Sequence, residues 1–255
     1  MNEAVKVQEY VYKETQGCSL HLKVYSPEGE QGALRPVVVF FFGGGWVRGT
    51  IDHFQPQSEF IAEQGMIAIT PDYRVFSRHR TTPFECVEDA RDAISWVSRH
   101  AEELGTDRER IAVGGGSAGG HLALCTVLLP PEVGQGPDVS GVPKAMVLFN
   151  PVCDTTDKGF RYESLGSRML ELSPLHHIRE GLPPALLFHG TADRTVPFRC
   201  ASDFRARMLA CGNECELIAY EGRGHGFFNP GRSEGEADHE DTKRNAVKFL
   251  KRIFG

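Results

Sequence analysis

Residues 110–128, Arg-Ile-Ala-Val-Gly-Gly-Gly-Ser-Ala-Gly-Gly-His-Leu-Ala-Leu-Cys-Thr-Val-Leu, constrain this chain more than any other stretch. A short apolar run meets a glycine cluster and then an apolar helical pattern, so the order is strand, sharp turn, helix. Ser117 lies at the turn, inside Gly115-Gly116-Ser117-Ala118-Gly119. A reactive serine there needs a strained backbone that lifts its hydroxyl clear of the sheet. Gly115 and Gly119 leave no Cβ to block the approach of strand and helix. The same turn aims the helix N-terminus and the Ala118 N–H at the place where an oxyanion would form. Gly114, Gly116 and Gly119 also spell G-x-G-x-x-G, the dinucleotide fingerprint. That motif opens an early βαβ unit and is followed about 20 residues on by an acid closing the next strand. Residues 130–142 read instead as a proline- and glycine-rich loop.

The surrounding pattern sets the fold class. Tyr10-Val-Tyr-Lys and Leu20-His-Leu-Lys-Val-Tyr alternate at period two around Gln16-Gly17, which predicts an antiparallel hairpin at a sheet edge. Residues 37–42 are apolar without alternation, the mark of a strand covered on both faces, and 66–70, 110–113, 145–149, 185–189 and 215–220 are of the same kind. Between them lie helical segments. In one of these, Val87, Ala90, Ile94, Val97, Ala101 and Leu104 share a face while Glu88, Arg91, Asp92, Ser95 and Arg99 point outward. Others cover 54–64, 198–210 and 236–254. Strands alternating with helices predict an α/β fold with a mainly parallel, doubly wound sheet of about eight strands, helices on both faces and the site at the strand C-terminal ends. Residues 152–184 interrupt the rhythm and are expected to form a short cap-like insertion over those ends.

Charge and composition narrow the partners. With 28 Lys and Arg against 34 Asp and Glu, the formal charge is −6 and no basic block exists, so a nucleic-acid partner is not expected and a small neutral substrate is. Seven cysteines, mostly in apolar or helical segments, read as small buried residues rather than a disulfide framework. Cys211-x-x-x-Cys215 lacks a second ligand pair at zinc spacing, so neither metal nor cofactor is expected. No apolar leader and no membrane-length run is present, and the expectation is a cytoplasmic protein with no membrane partner, monomeric or homodimeric.

Three further stretches carry chemistry. Phe41-Phe42-Gly43-Gly44-Gly45-Trp46 follows the first buried strand, which should neighbour the Ser117 strand, and its glycines can turn N–H groups inward as oxyanion donors. Asp193 follows a buried strand in His189-Gly190-Thr191-Ala192-Asp193, where a carboxylate can accept from an imidazole N–H. Asp154, after Asn150-Pro151, competes for that role but reads better as a turn cap. Among ten histidines, His225 in Gly224-His225-Gly226 completes the order serine, acid, histidine; His121, His176, His177 and His189 lie elsewhere on helix, insertion or strand.

With these residues in view, the chain resembles the α/β-hydrolase fold serine esterases with an HGGG-type oxyanion loop, close to small bacterial carbohydrate acetyl and feruloyl esterases. The likeness covers residues 35–254. It implies Ser117, Asp193 and His225 as a triad, the N–H groups of Gly43, Gly44 and Ala118 as the oxyanion hole, and a structural role for Asp72-Tyr73-Arg74. Phe42 stands where the family has the HGGG histidine, which helps hold the glycine loop in shape. The implied activity is two-step hydrolysis of short-chain, chiefly acetyl, esters, with carbohydrate as the carrier. A pocket lined by Trp46, Phe160, Tyr162, Leu165 and Met169 is expected, in one domain over 1–255. A serine peptidase and a catalytically silent binding protein of the same fold are the alternatives. The short chain speaks against the first and the intact triad against the second.

Overall fold

The computed structural model describes residues 4–15, 17–29, 32–130, 142–160, 163–231 and 237–255. Its apolar runs become adjacent strands: β1 (Val5–Thr15), β2 (Cys18–Pro27), β3 (Arg35–Phe41), β4 (Ile67–Pro71), β5 (Thr106–Gly116), β6 (Ala145–Phe149), β7 (Ala185–Gly190) and β8 (Cys215–Tyr220). They form one eight-stranded sheet in the order β1-β2-β4-β3-β5-β6-β7-β8. β2 pairs antiparallel with both neighbours, and every pairing from β4 to β8 is parallel. The hairpin expected at one edge is β1–β2, although Gln16 of its turn lies outside the described residues.

Side-chain alternation explains how both faces are covered. Val37, Val39 and Phe41 join a core with helices α3 (Pro83–Arg99), α5 (Ala118–Leu128) and α6 (Phe198–Ala210), while Val38 and Phe40 join another with α1 (Gln55–Glu63) and α7 (Ala237–Phe254); α2 (Phe76–His79) and α4 (Ala101–Leu104) are single turns either side of α3. α3 starts at a capping box of Thr82 and Glu85 with Pro83 in its first turn, so its orphan amides are satisfied locally. All eleven residues of α5 are buried. A helix apolar on every side belongs inside the fold, and here it lies between sheet and α3.

Some boundaries differ from the sequence reading for identifiable reasons. β5 starts at Thr106 rather than 110, because Thr106 pairs with Arg35 before a register shift brings Val37 opposite Ile111. The helix expected over 54–64 divides into a 3₁₀ turn, Ile51–Phe54, and α1 with a proline in its first turn. The insertion between β6 and β7 contains 3₁₀ turns at Glu163–Arg168 and Pro174–His177. Residues 131–141 of the expected loop, Tyr162, and residue 236 of the last helix lie outside the described residues.

Candidate active site

The C-terminal ends of β3, β5, β6, β7 and β8 converge on a cleft of about 1040 Å³. At the end of β5 the chain turns so sharply that Ser117 adopts φ +54° and ψ −118°, a region that costs an L-residue on the order of 1–3 kcal/mol. Three backbone bonds hold it there: the Ser117 N–H donates to the Phe149 carbonyl (2.9 Å), and the Ser117 carbonyl accepts from His121 (3.0 Å) and Val152 (3.2 Å). A Cβ on Gly119 would sit 2.0 Å from the Phe41 carbonyl oxygen, so the helix can approach β3 only with glycine at that position. The glycines that spell a dinucleotide motif therefore serve close packing around a central strand. Ala118, the first residue of α5, has an N–H with no acceptor among the described residues, as a first helical amide normally does.

His225 lies on the loop after β8, partly exposed, and its Nδ1 is 2.7 Å from Asp193 Oδ2. Asp193 sits just past β7 with its side chain wholly shielded from solvent. Oδ1 accepts from the N–H groups of Thr195 (2.8 Å) and Val196 (2.9 Å), and His189 Nε2, which donates to the Val196 carbonyl at 2.9 Å, lies 3.4 Å from Oδ2. Burial alone would raise the Asp193 pKa. The hydrogen bonds from His189 and His225, the His225 charge and the Val196 amide outweigh it and hold the carboxyl well below the usual carboxylate range. Asp154 is engaged elsewhere, capping its turn through Thr156 N–H (2.8 Å) and Ser173 Oγ (3.1 Å). Ser117 and His225 line the same cleft, and no hydrogen bond joins them.

The glycine loop corrects the sequence reading at one donor. Gly43 N–H is already given to His53 Nδ1 at 3.0 Å and is not available to an oxyanion. Gly44 and Gly45, both on the cleft wall, have N–H groups without an acceptor among the described residues. Gly44 has φ +134°, and a Cβ there would lie 1.9 Å from the Arg48 carbonyl oxygen. Phe42, in the place expected for histidine, stacks on Tyr73 at 4.0 Å, and the Tyr73 hydroxyl donates to the Phe42 carbonyl at 2.8 Å. Arg74 and Arg78 pair with Asp89 and Asp72, so the Asp72-Tyr73-Arg74 stretch braces the loop from behind.

The expected pocket lining is corrected too. Phe160 does line the cleft. Trp46, at φ +61°, turns inward and is 1% exposed, edge-on to His121 at 5.0 Å and behind Phe160 at 5.8 Å. Met169 and Leu165 pack with the core rather than on the cleft. Three residues that the sequence did not single out stand on the wall: His53, Asn150 and Asn229. Asn150, the first residue of the Asn150-Pro151 turn after β6, has φ +36°, a conformation that asparagine tolerates, and its Oδ1 accepts the N–H of Gly226, next to His225.

Known proteins share this arrangement of chain. The BD-FAE family model matches residues 22–133. Esterase 2 of Thermogutta terrifontis in its apo form is 44% identical, with TM-score 0.89 over 99% of this chain and 95% of that one. The same protein is known with propionate bound and phosphorylated by paraoxon, each at TM-score 0.88 and 44% identity. A probable isoprenylcysteine alpha-carbonyl methylesterase of Arabidopsis thaliana is 32% identical over 231 residues, 80% of this chain and 48% of that protein. The chain thus spans about half the length of the curated relatives it matches.

Proposed function

The chain belongs to the α/β-hydrolase serine esterases, and from that premise we propose that it hydrolyses short-chain carboxylic esters, acetyl esters on carbohydrate foremost, through Ser117, His225 and Asp193. The observation that carries the reading is the 2.7 Å bond from His225 Nδ1 to Asp193 Oδ2 beside a strained Ser117 on the same cleft. With Nδ1–H given to the carboxylate, Nε2 is the unprotonated nitrogen and can take a proton.

His225 deprotonates Ser117 as Oγ attacks the ester carbonyl. The Ser117–His225 bond absent from the free protein forms in the substrate complex, where such bonds tighten. The N–H groups of Gly44, Gly45 and Ala118 hold the oxyanion, and each is worth on the order of 3 kcal/mol, a hundredfold or more in rate. His225 then protonates the leaving alcohol, and water activated by the same ring releases the acid. Asp193 stays ionised throughout, consistent with its depressed pKa, and stabilises the imidazolium.

Preference for a small acyl group is supported by Phe160 on the cleft wall and by the propionate-bound and butyrate-bound forms of the Thermogutta esterase. Reaction of that esterase with paraoxon supports an organophosphorus probe for this chain. A fluorophosphonate is expected to label the native chain and to leave Ser117→Ala unlabelled; labelling that persists in the variant rejects Ser117 as the nucleophile. Turnover of acetyl p-nitrophenyl ester is expected to exceed that of the dodecanoyl ester by at least about tenfold, and equal rates remove the short-acyl preference. Acetylated oligosaccharides compared with simple aryl acetates test the carbohydrate carrier.

A further inference from the structure

Gly44 and Gly45 can serve as oxyanion donors only if the peptide plane before them is held in one orientation. That plane, between Phe42 and Gly43, is clamped at both ends. Its carbonyl oxygen accepts the Tyr73 hydroxyl at 2.8 Å, and its N–H donates to His53 Nδ1 at 3.0 Å. The second contact fixes the His53 tautomer, because an Nδ1 that accepts carries no proton and leaves Nε2 as the N–H. Nε2 lies 2.9 Å from Asn229 Oδ1 and donates to it. Asn229 Nδ2 donates to the Gly226 carbonyl at 3.0 Å, and the Gly226 N–H donates to Asn150 Oδ1 at 3.0 Å. Four hydrogen bonds thus run from the glycine loop through His53 and Asn229 to the residue after His225 and on to the end of β6.

We propose that His53 is a positioning residue: by taking the Gly43 N–H it sets the direction in which Gly44 and Gly45 present theirs, and through Asn229 it ties the glycine loop to the loop that carries His225. This rests on the esterase reading above. Gly43 lies between the ring and Ser117, all three on the cleft wall: a Cβ on Gly43 would lie 2.9 Å from the Gly116 carbonyl oxygen, 3.3 Å from His53 Cε1 and 3.5 Å from Ser117 Cβ. His53 is itself packed against Phe54 (5.1 Å) and Phe228 (6.0 Å), which limits its rotamer. The clamp comes from a 3₁₀ turn ten residues downstream, not from the position preceding the glycines, where Phe42 instead supplies stacking.

Two variants separate positioning from general support. His53→Ala removes the acceptor, and His53→Asn restores one, since Asn Oδ1 can occupy roughly the place of Nδ1. With acetyl p-nitrophenyl ester, kcat of His53→Ala is expected to fall about 10- to 100-fold, less than or equal to the loss of one donor, with KM changed less than about threefold. His53→Asn is expected to recover to within about fivefold of the native kcat. Amide exchange at Gly43 is read alongside: it is expected to accelerate in His53→Ala and to stay near native in His53→Asn. Should His53→Ala fail to fold, Asn229→Ser, which frees the ring's second tether, carries the test with a kcat loss of about three- to tenfold expected. Native kcat in His53→Ala, equal impairment of both His53 variants, or unchanged Gly43 exchange overturns the proposal while leaving the esterase reading intact. A native chain that neither turns over esters nor is labelled at Ser117 sinks the esterase reading and this proposal with it.

Discussion

Asp89 and Asp193 are the same residue at the same depth, each with a side chain fully shielded from solvent, yet one lies in α3 and the other beside the cleft. Asp89 is surrounded by permanent cations and their amides: Lys13 Nζ at 2.7 Å, Arg74 Nη2 at 2.7 Å and Nε at 2.8 Å, and the Arg74 N–H at 2.9 Å. Asp193 has two imidazoles and two backbone amides instead. Arginine and lysine keep their charge at any pH near neutrality, so the Asp89 network locks β1, the Asp72-Tyr73-Arg74 stretch and α3 together and has no proton to move. An imidazole is not a fixed cation, so on the proposed mechanism Asp193 stabilises a charge that arises only during the reaction. Burial of a carboxylate therefore says little by itself about function; whether its partners are fixed cations or imidazoles is what distinguishes the two sites.

The largest effect that tests this contrast belongs to Asp193→Asn. Its kcat/KM is expected to fall about 10⁴-fold through loss of the imidazolium partner and the correct tautomer, with the melting temperature little changed. A comparable loss of folding stability would place Asp193 with the braces. Asp89→Asn should do the reverse. It removes the fully buried carboxylate that Lys13 and Arg74 share, leaving them the more exposed Glu88 and Asp92, and is expected to cost about 3 kcal/mol in urea unfolding, while the folded fraction keeps native kcat. A kcat loss in fully folded protein would break the comparison.

A histidine without any charged partner gives a third case. His121 is fully buried, donates from Nε2 to the Leu172 carbonyl at 2.7 Å and is held near pKa 4, chiefly by burial, with the Leu172 bond opposing. Its folded pKa lies below the unfolded value, so the unfolded chain binds the extra proton between them. Stability is complete above about pH 6.5 and declines as pH falls toward 4, by an amount on the order of 3 kcal/mol from this one group. Urea midpoints at several pH values are expected to show a flatter profile over that window in His121→Gln, and an unchanged profile would rule the assignment out. The smallest effect is at the rim of the brace. Glu88, 35% exposed and 3.0 Å from Lys13, is expected to lose less than about 1 kcal/mol as Glu88→Gln, against several for Asp89 in the same network.

Much of this was legible from residue order because it rests on local patterning. Unbroken apolar runs mark the covered strands, and Gly115 through Gly119 mark the turn that carries Ser117. The features that escaped depend on contacts between distant segments. Nothing near Gly43 in the sequence reveals that its N–H is given to a ring ten residues on, nor that the same ring reaches Asn229. Trp46 follows the glycines and so reads as a cleft residue, but its positive φ sends the indole inward against His121. Met169 is apolar within a polar insertion, a pattern that fits either wall or anchor, and packing made it an anchor.

The register of β3 against β5 has a practical consequence. Phe41 opposite Gly115 is the alignment that brings the Phe41 carbonyl oxygen against Gly119 and Gly43 within reach of Ser117, and a slip of one residue would exchange the faces of every side chain on the strand. Parallel pairing between segments some seventy residues apart closes slowly, so misaligned sheets are a natural hazard of refolding. Esterase turnover regained after dilution from denaturant would therefore count correctly aligned molecules, a census that overall helix content could not provide.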